Sequence, residues 1–340
     1  MSLPLTTLGD DLSVSVLGFG AMALTGVYGS STSAENLAVL HHALDSGVTF
    51  IDTSDMYGAG ESERTIGEVA ATRRDEMTIA TKFGIIGRTD DRSLRARNDP
   101  AYVRQAINAS LTRLGIDTID LYYLHRRDVT IPIEDVVGAM AELVTAGKVR
   151  HLGLSEATAE ELEAAHRVHP IAAIQSEGSV WSRDVERAVI PAAARLGIGF
   201  VPYSPLGRGF LTGTLTAPAV FANDWRSGLT RFSGSAFTTN QAIVDTLTAI
   251  ARTQGATPAQ IALAWLYAAA ARLGLPVVPT PGTRRTTRLD ENSGATRLTL
   301  TDEQISALDK LSAGVVGNRS DFHDPNWTSD QRERHDAERA

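Results

Sequence analysis

The 340-residue sequence predicts a single (β/α)8 barrel, the α/β architecture also known as the TIM barrel. Short apolar runs rich in β-branched residues alternate with segments of helical apolar spacing. The runs lack the polar alternation of half-exposed strands, so they suit strands buried on both faces. Eight such units occur, which favours a closed barrel. We place the barrel at about residues 12–312. A typical barrel needs roughly 250 residues, and the surplus lies in flanking segments, long loops and an extra helix.

Glycine separates many predicted helices from the strands that follow, because it adopts the left-handed conformation that ends a helix. Such junctions lie at Gly47, Gly115, Gly147, Gly197 and Gly274. The predicted strands are 14–18, 48–51, 77–81, 119–124, 149–154, 171–174, 198–203 and 276–280. No linker divides the chain, so we expect one domain over residues 1–340. An N-terminal segment (1–13) and a polar C-terminal tail (313–340) flank the barrel.

Helix starts are marked by Thr-x-x-Glu or Thr-x-x-Gln, the pattern of a capping box. It occurs at Thr32, Thr158, Thr257 and Thr301. Pro100 stands where a first helical residue is expected, with Asp99 as its cap. The remaining length predicts two long loops at 84–99 and 205–239 and an extra helix near 240–254.

Composition excludes several functions. The chain has 32 Lys and Arg against 40 Asp and Glu, a formal net charge of −8, without a basic stripe, so nucleic acid is not an expected partner. Cysteine is absent, which suits a reducing cytoplasm. The first ten residues lack a signal-peptide pattern, and no apolar run reaches the roughly 20 residues of a membrane span. These features predict a cytoplasmic enzyme or binding domain.

Chemically active residues follow the predicted strands. They are Asp52, Lys82, His125, Ser155, Gln175 and the pair Tyr203–Ser204. Catalytic groups of a barrel lie at the C-terminal ends of its strands, so we expect these side chains at one rim. Tyr57 lies five residues past Asp52, in a glycine-containing loop that can fold back over that rim.

Asp52, Tyr57, Lys82 and His125 would form a proton-transfer site if they converge. A free phenol has a pKa near ~10, and an adjacent ammonium lowers it. The carboxylate would keep Lys82 charged, and His125 could direct a carbonyl oxygen towards the phenol. Such a site can protonate an oxygen while a hydride arrives at carbon.

Taken singly, these residues allow other interpretations. Asp52 could cap a helix, and His125 could be a core histidine. Lys82 could be the Schiff-base lysine of a barrel aldolase. His166 and His169 have the spacing of a metal pair, but no third ligand is evident, so no metal is expected.

Six motifs in order resemble the aldo-keto reductase family, in particular its bacterial and plant branch: FIDTSDMYGAGESERTIGE, TIATKFG, IDLYYLHR, GLSE, VPYSPLGRGFLTG and PGTRRTTRLDEN. The resemblance implies an enzyme that reduces an aldehyde or ketone to an alcohol with NADPH. It implies a catalytic tetrad of Asp52, Tyr57, Lys82 and His125, with Tyr57 as general acid. The alternative is an NADPH-binding regulatory subunit like the potassium-channel β subunits, which share this fold.

The resemblance also implies the cofactor site. Tyr203 would stack on the nicotinamide, and Ser155 and Gln175 would hold its carboxamide. The full set of implied cofactor-binding residues is Gly20, Ala21, Met22, Asp52, Ser155, Gln175, Tyr203, Ser204, Leu206, Gly282, Thr283, Arg284, Arg288, Glu291 and Asn292. Guanidinium groups before a helix N-terminus suit the 2′-phosphate of NADP, so Arg284 favours NADPH.

Three positions depart from the family's motifs. Glu156 stands where many relatives have Asn, and an ionised Glu cannot donate a hydrogen bond to the carboxamide. Gly178 stands in place of an aromatic residue, which suggests a wider pocket. Leu124 replaces a frequent Gln before His125. The partner is expected to be a small carbonyl compound of unspecified identity, and the oligomeric state stays open.

Overall fold

The computed structural model describes residues 3–88, 94–218, 225–320, 324 and 326–339. Its strands are β1 (Leu5–Leu8), β2 (Leu12–Ser15), β3 (Gly18–Gly20), β4 (Phe50–Asp52), β5 (Thr78–Phe83), β6 (Ile85–Arg88), β7 (Leu94–Ala96), β8 (Ile119–Leu124), β9 (Val149–Ser155), β10 (Ile171–Glu177) and β11 (Gly199–Tyr203). Its helices are α1 (Ser33–Asp45), α2 (Glu61–Arg73), α3 (Pro100–Leu114), α4 (Ile133–Thr145), α5 (Ala159–Val168), α6 (Val189–Arg195), α7 (Gly234–Gln254), α8 (Pro258–Leu273), α9 (Thr286–Gly294), α10 (Asp302–Asp309) and α11 (Ser329–Arg339).

Parallel strands form the barrel wall in the order β3, β4, β5, β8, β9, β10 and β11. The predicted eighth strand, at 276–280, joins the two edges. Phe200 N–H donates to the Pro276 carbonyl (2.8 Å), and Val278 N–H donates to the Phe200 carbonyl (2.9 Å). On the other side, Gly18 N–H donates to the Pro279 carbonyl (2.9 Å). These bonds close the barrel, and the predicted fold class is confirmed.

The closing segment is too irregular to form a continuous ladder. Pro276, Pro279 and Pro281 have no backbone N–H to donate, so only part of the hydrogen bonds of a strand can form. The composition of this strand therefore explains why a single parallel bridge, between Phe200 and Val277, is all that marks it as β-structure.

The predicted strand at 14–18 is wrong. Its first residues belong to β2, which pairs antiparallel with β1, and the barrel strand β3 begins only at Gly18. Leu8, Leu12 and Val14 of the hairpin are buried in the barrel interior, which they close at its N-terminal end. The apolar residue Val14 is thus buried as part of a hairpin and not as part of a barrel strand.

The helix starts agree with the capping pattern. Thr32, Thr158, Thr257 and Thr301 each form a reciprocal capping box, as predicted. Asp99 caps α3 by accepting from Tyr102 N–H (3.0 Å). The extra helix predicted near 240–254 begins earlier, at Gly234. The loop predicted at 84–99 contains the hairpin β6–β7, although residues 89–93 lie outside the described part.

The C-terminal tail is not a free extension. Its helix α11 and Arg319 pack over the C-terminal end of the barrel through buried contacts with the segment that follows β9. Within the described ranges, no helix combines the length and apolar character needed to cross a membrane.

Candidate active site

Side chains inside the barrel form layers, because alternate residues of a strand point to the same face. One layer is apolar: Phe50, Ala80, Tyr123, Ala173, Val201 and Val278 belong to one buried cluster. Two residues further along each segment lie Asp52, Lys82, His125, Gln175, Tyr203 and Thr280. The apolar layer supports the polar layer from below, and this arrangement brings the predicted rim residues together.

Lys82 and Asp52 form an ion pair inside the barrel. The Lys82 ammonium donates to Asp52 Oδ1 (2.5 Å) and to the Thr53 carbonyl (2.7 Å). Lys82 is fully buried, and Asp52 is 4% exposed. Gln175 Nε2 donates to the other carboxylate oxygen of Asp52 (2.8 Å). The carboxylate therefore fixes both the charge and the position of the ammonium.

Tyr57 reaches the ammonium through a tight turn. It begins the turn Tyr57–Gly60, in which Gly58 and Ala59 have φ of 58° and 53°. This left-handed backbone directs the chain back over the barrel, so that Lys82 Nζ lies 5.1 Å from the centre of the Tyr57 ring. The His125 ring meets Tyr57 edge-on, with ring centres 6.0 Å apart. All four residues of the predicted tetrad are adjacent.

Burial and neighbouring charges set the protonation states of Lys82 and Tyr57. Burial lowers the pKa of Lys82, but Asp52 and Tyr57 outweigh it, so the pKa lies above its ordinary value and the amine stays charged. Burial raises the pKa of Tyr57 more than Lys82 lowers it. Lys82 lowers this pKa, as expected, but desolvation of the buried phenol raises it by more. The phenol is a neutral donor.

A permanently charged lysine is a poor nucleophile, because Schiff-base formation requires the neutral amine. The ion pair with Asp52 therefore opposes the aldolase interpretation of Lys82. His125 is neutral, since burial and the charges of Arg126 and Lys82 lower its pKa well below the ordinary value.

Sequence reasoning missed Ser54 and Asp55, although both lie in the motif between Asp52 and Tyr57. The Ser54 hydroxyl lies 3.1 Å from His125 Nδ1 and 3.2 Å from Asp55 Oδ1. Burial, together with the charge of Glu63, raises the pKa of Asp55 to about 7. His125 is thus linked through Ser54 to a carboxyl group that can hold a proton near neutral pH.

The contacts of Glu156, the first departure from the family motif, give this residue a structural role. Its carboxylate accepts hydrogen bonds from Tyr203 Oη (2.8 Å), from Arg319 Nη1 (2.9 Å) and from the backbone N–H of Ser329 (3.1 Å). Burial would raise the pKa of Glu156, but Arg319 and these donors hold it well below the ordinary value. Glu156 therefore fastens the C-terminal tail beside the predicted nicotinamide residues, a long-range role that no local pattern indicates.

The other two departures have local consequences. A Cβ at Gly178 would lie 2.7 Å from Phe200 Cζ and 2.9 Å from Pro202 Cβ, so Phe200 occupies the space that a larger side chain here would need. The wider pocket stays a prediction. Leu124 faces the helices, in the outer core, rather than the barrel interior.

The predicted adenosine-phosphate segment begins where two loops meet closely. A Cβ at Gly20 would lie 2.6 Å from the Thr280 carbonyl, and one at Gly282 would lie 2.5 Å from the Gly20 carbonyl. Ala21 and Met22 open a short 3₁₀ turn directly after Gly20. This close approach of backbones requires glycine at both positions.

The Arg284 guanidinium forms hydrogen bonds to backbone carbonyls of a neighbouring loop. Its Nη2 donates to the Tyr28 carbonyl (2.8 Å), and its Nη1 donates to the Ser30 carbonyl. Arg288 is exposed, lies in the first turn of α9 and forms no ion pair with the described residues. In the same segment, Thr283 and Asn292 are buried, whereas the Glu291 carbonyl accepts from Gln260.

Backbone strain collects at this rim. Among the described residues, the non-glycine positions with positive φ are Ala59, Glu156, Ser204 and Arg208. Each lies one or two residues after a predicted site residue in a loop at a strand end. The preceding site residues are Tyr57, Ser155, Tyr203 and Leu206, respectively. Such strain is typical of functional sites. Within the described part of the chain, no group of three or more His, Asp or Glu side chains could hold a metal ion.

Comparison with known proteins agrees with this geometry. Residues 16–313 match the Aldo/keto reductase family. Because the match covers most of the chain, the protein belongs to the aldo/keto reductase family and is an oxidoreductase. The resemblance inferred from the motifs is confirmed.

Individual relatives and solved structures are also similar to this chain. Aldo-keto reductase yakc from Schizosaccharomyces pombe, whose name includes NADP(+), is 41% identical over 327 residues, which cover 94% of this chain and 95% of the relative. Glycerol dehydrogenase from Gluconobacter oxydans has a TM-score of 0.81 at 28% identity, covering 93% of this chain and 97% of that one. An aldo-keto reductase from Klebsiella pneumoniae in complex with NADPH has a TM-score of 0.70 at 25% identity, covering 94% and 98%.

Proposed function

We propose that the protein is an NADP(H)-dependent reductase that converts an aldehyde or a ketone to the alcohol. The observation that carries the proposal is the buried Lys82–Asp52 ion pair (2.5 Å) beside a neutral Tyr57, with His125 against the phenol ring. NADP(+) in the name of the yeast relative and NADPH in the Klebsiella structure support the choice of cofactor.

The residues of this chain suit a phosphorylated dinucleotide. The first turn of α9 contains no acidic residue, and Arg285 and Arg288 are exposed there without an ion pair among the described residues. A helix N-terminus with guanidinium groups attracts phosphate. In this proposal Arg288 and Arg284 bind the 2′-phosphate, and Arg284 exchanges its bonds to the Tyr28 and Ser30 carbonyls for it.

The remaining cofactor contacts follow the family resemblance. Ser155 and Gln175 hold the nicotinamide carboxamide, and the Tyr203 ring stacks on the nicotinamide. Further proposed contacts come from Gly20, Ala21, Met22, Asp52, Ser204, Leu206, Gly282, Thr283, Glu291 and Asn292. When bound, NADPH supplies the hydride.

Tyr57 supplies the proton in this proposal. As negative charge develops on the carbonyl oxygen, the phenol donates its proton to that oxygen. The phenolate left behind lies beside the Lys82 ammonium, which stabilises it and which Asp52 keeps charged. Burial keeps Tyr57 protonated beforehand, so the donor is ready at neutral pH.

His125 orients the carbonyl. Its ring is neutral and therefore cannot serve as a charged acid. If the Ser54 hydroxyl donates to Nδ1, the single ring proton lies on Nε2, from which it can donate to the carbonyl oxygen. Ser54 also links His125 to the Asp55 carboxyl, whose pKa is raised to about 7, so this carboxyl can hold a proton for His125 near neutral pH.

The test is a screen of NADPH oxidation over aliphatic, aromatic and sugar-derived aldehydes and ketones, with the alcohol product identified for each hit. We expect turnover of at least one aldehyde class and weaker turnover with NADH. Tight NADPH binding without reduction of any carbonyl would contradict the proposal and favour the non-catalytic binding subunit.

A further inference from the structure

Arg126 is a buried cation that the proposed mechanism does not use. It directly follows His125 and is 7% exposed. Its Nη1 donates to the His125 carbonyl (2.7 Å) and to Ser155 Oγ (3.0 Å), and its Nη2 lies 3.5 Å from Tyr203 Oη. Its Nε is buried and has no hydrogen-bond partner among the described residues. One edge of the guanidinium, Nε and Nη2, is therefore poorly satisfied.

Arg126 differs from other buried arginines of the described chain in lacking an ion pair. Four arginines with side chains 5–9% exposed each form an ion pair with a glutamate, namely Arg127 and Arg332 with Glu161, Arg231 with Glu177 and Arg319 with Glu156. Arg126 has no such pair within the described residues. Because a buried charge is normally compensated, an anion beside Arg126 would be stabilised.

The surroundings place this charge next to the reacting centre. The Arg126 guanidinium carbon lies 5.1 Å from the centre of the Trp327 ring. Trp327 is buried against Ile85 and against Met56, the residue before Tyr57. On its other side the guanidinium lies 5.9 Å from the centre of the Tyr203 ring. Arg126 thus lies between the tail and the tetrad, beside an apolar wall.

We propose that Arg126 is a specificity-determining residue that binds a carboxylate of the substrate, and this inference rests on the proposed carbonyl reductase function. The Nε and Nη2 edge of an arginine offers two parallel N–H groups, which match one carboxylate. A single unpaired guanidinium balances one negative charge. The preferred substrates are therefore aldehydes or ketones that carry a carboxylate on an aromatic or apolar frame.

The experiment measures kcat/KM with NADPH for benzaldehyde, 3-carboxybenzaldehyde and 4-carboxybenzaldehyde. The variants are Arg126→Met, which keeps an apolar stem, and Arg126→Lys, which keeps the charge but not the paired donors. Arg127→Met is the matched control, because Arg127 is the adjacent arginine, has a side chain only 7% exposed and is paired with Glu161. Fluorescence titrations give the Kd of NADPH, and of benzoate on the NADPH complex, for each protein.

We expect the wild type to prefer at least one carboxylated aldehyde over benzaldehyde. Arg126→Met should lower kcat/KM for that substrate by roughly 10–150-fold, the worth of a charged hydrogen bond. It should weaken benzoate binding similarly and lower kcat/KM for benzaldehyde far less, so that the preference for the carboxylated aldehyde is lost. Arg126→Lys should recover only part of the loss, and Arg127→Met should keep the wild-type ratio.

A wild type that prefers benzaldehyde over both carboxylated aldehydes would overturn the proposal. So would an equal loss for charged and neutral substrates in Arg126→Met together with weaker NADPH binding, since Arg126 would then only orient Ser155 and Tyr203. If no carbonyl is reduced at all, the proposed function fails, and the benzoate titration still decides whether Arg126 binds a carboxylate.

Discussion

The two ends of the barrel place their charges differently. At the N-terminal end the interior is closed by apolar side chains of the β1–β2 hairpin, and the charged groups stay outside, as in the pair of His151 with Asp11, whose side chain is 79% exposed. At the C-terminal end Lys82 and Asp52 form their pair inside the barrel, and their side chains are 0% and 6% exposed. Burying an ion pair is costly, so the second arrangement indicates function and the first stability.

The largest expected effect comes from Lys82→Met. It removes the charge that stabilises the phenolate, so carbonyl reduction should fall by about 10²–10⁴-fold, as for loss of acid–base catalysis. It also leaves Asp52 buried without its partner, which should cost about 3–5 kcal/mol of stability. The measurements are steady-state kinetics and denaturant unfolding.

The double variant Lys82→Met/Asp52→Asn separates these two effects. Stability should largely return, because no buried charge is left unpaired, while activity should stay low. At the other end, Asp11→Asn breaks the exposed pair with His151 and should change neither quantity by much. Recovery of activity in the double variant would contradict the role given to Lys82.

At the N-terminal end, Leu8→Ala should act on stability alone. Leu8 is fully buried, so its truncation should cost about 2–5 kcal/mol. Leu5→Ala in the same strand is the control, because Leu5 is 65% exposed. Chemical unfolding and turnover per folded molecule are compared. A marked loss of turnover in folded Leu8→Ala would contradict the assignment of stability to the N-terminal end and of function to the C-terminal end.

Substitutions in the predicted adenosine-phosphate segment, at the C-terminal end of the barrel, should have a smaller effect on cofactor binding. Arg288→Ala should weaken NADPH binding by roughly 10–150-fold with little change for NADH, because only NADPH carries the 2′-phosphate. Arg284→Ala tests the same contact for the arginine that bonds to the Tyr28 and Ser30 carbonyls. Fluorescence titration with both cofactors is the measurement. An equal loss of affinity for NADH and NADPH would show that the arginine stabilises the loop and does not bind the 2′-phosphate.

A further expected effect, which needs no substitution, is on pH dependence. The pKa of Tyr57 is raised above its ordinary value, so the phenol stays protonated and reduction should not decline between about pH 8 and 10. Alcohol oxidation needs the phenolate, so its rate should rise about tenfold per pH unit over that range. Initial rates in both directions decide this. An oxidation rate that levels off near neutral pH would mean that another group accepts the proton.

Much of this architecture is local in origin and could be predicted from the sequence. Capping boxes such as that at Thr32 and glycines such as Gly115 mark the helices, and polar residues at strand ends mark the site. The β1–β2 hairpin was missed because its apolar spacing also fits a barrel strand. The bonds of Glu156 to Arg319 and Ser329 join positions more than 160 residues apart, and no local pattern encodes them.

Single-turnover reduction by Tyr57→Phe tests the central claim most directly. The change removes only the hydroxyl, so the rate of NADPH consumption on mixing with a good aldehyde should fall by about 10²–10⁴-fold, while NADPH affinity stays close to that of the wild type. Tyr267→Phe is the matched control, since its buried hydroxyl has no partner in the described part of the chain, and it should react like the wild type. A near-wild-type rate in Tyr57→Phe would show that the proton comes from another group.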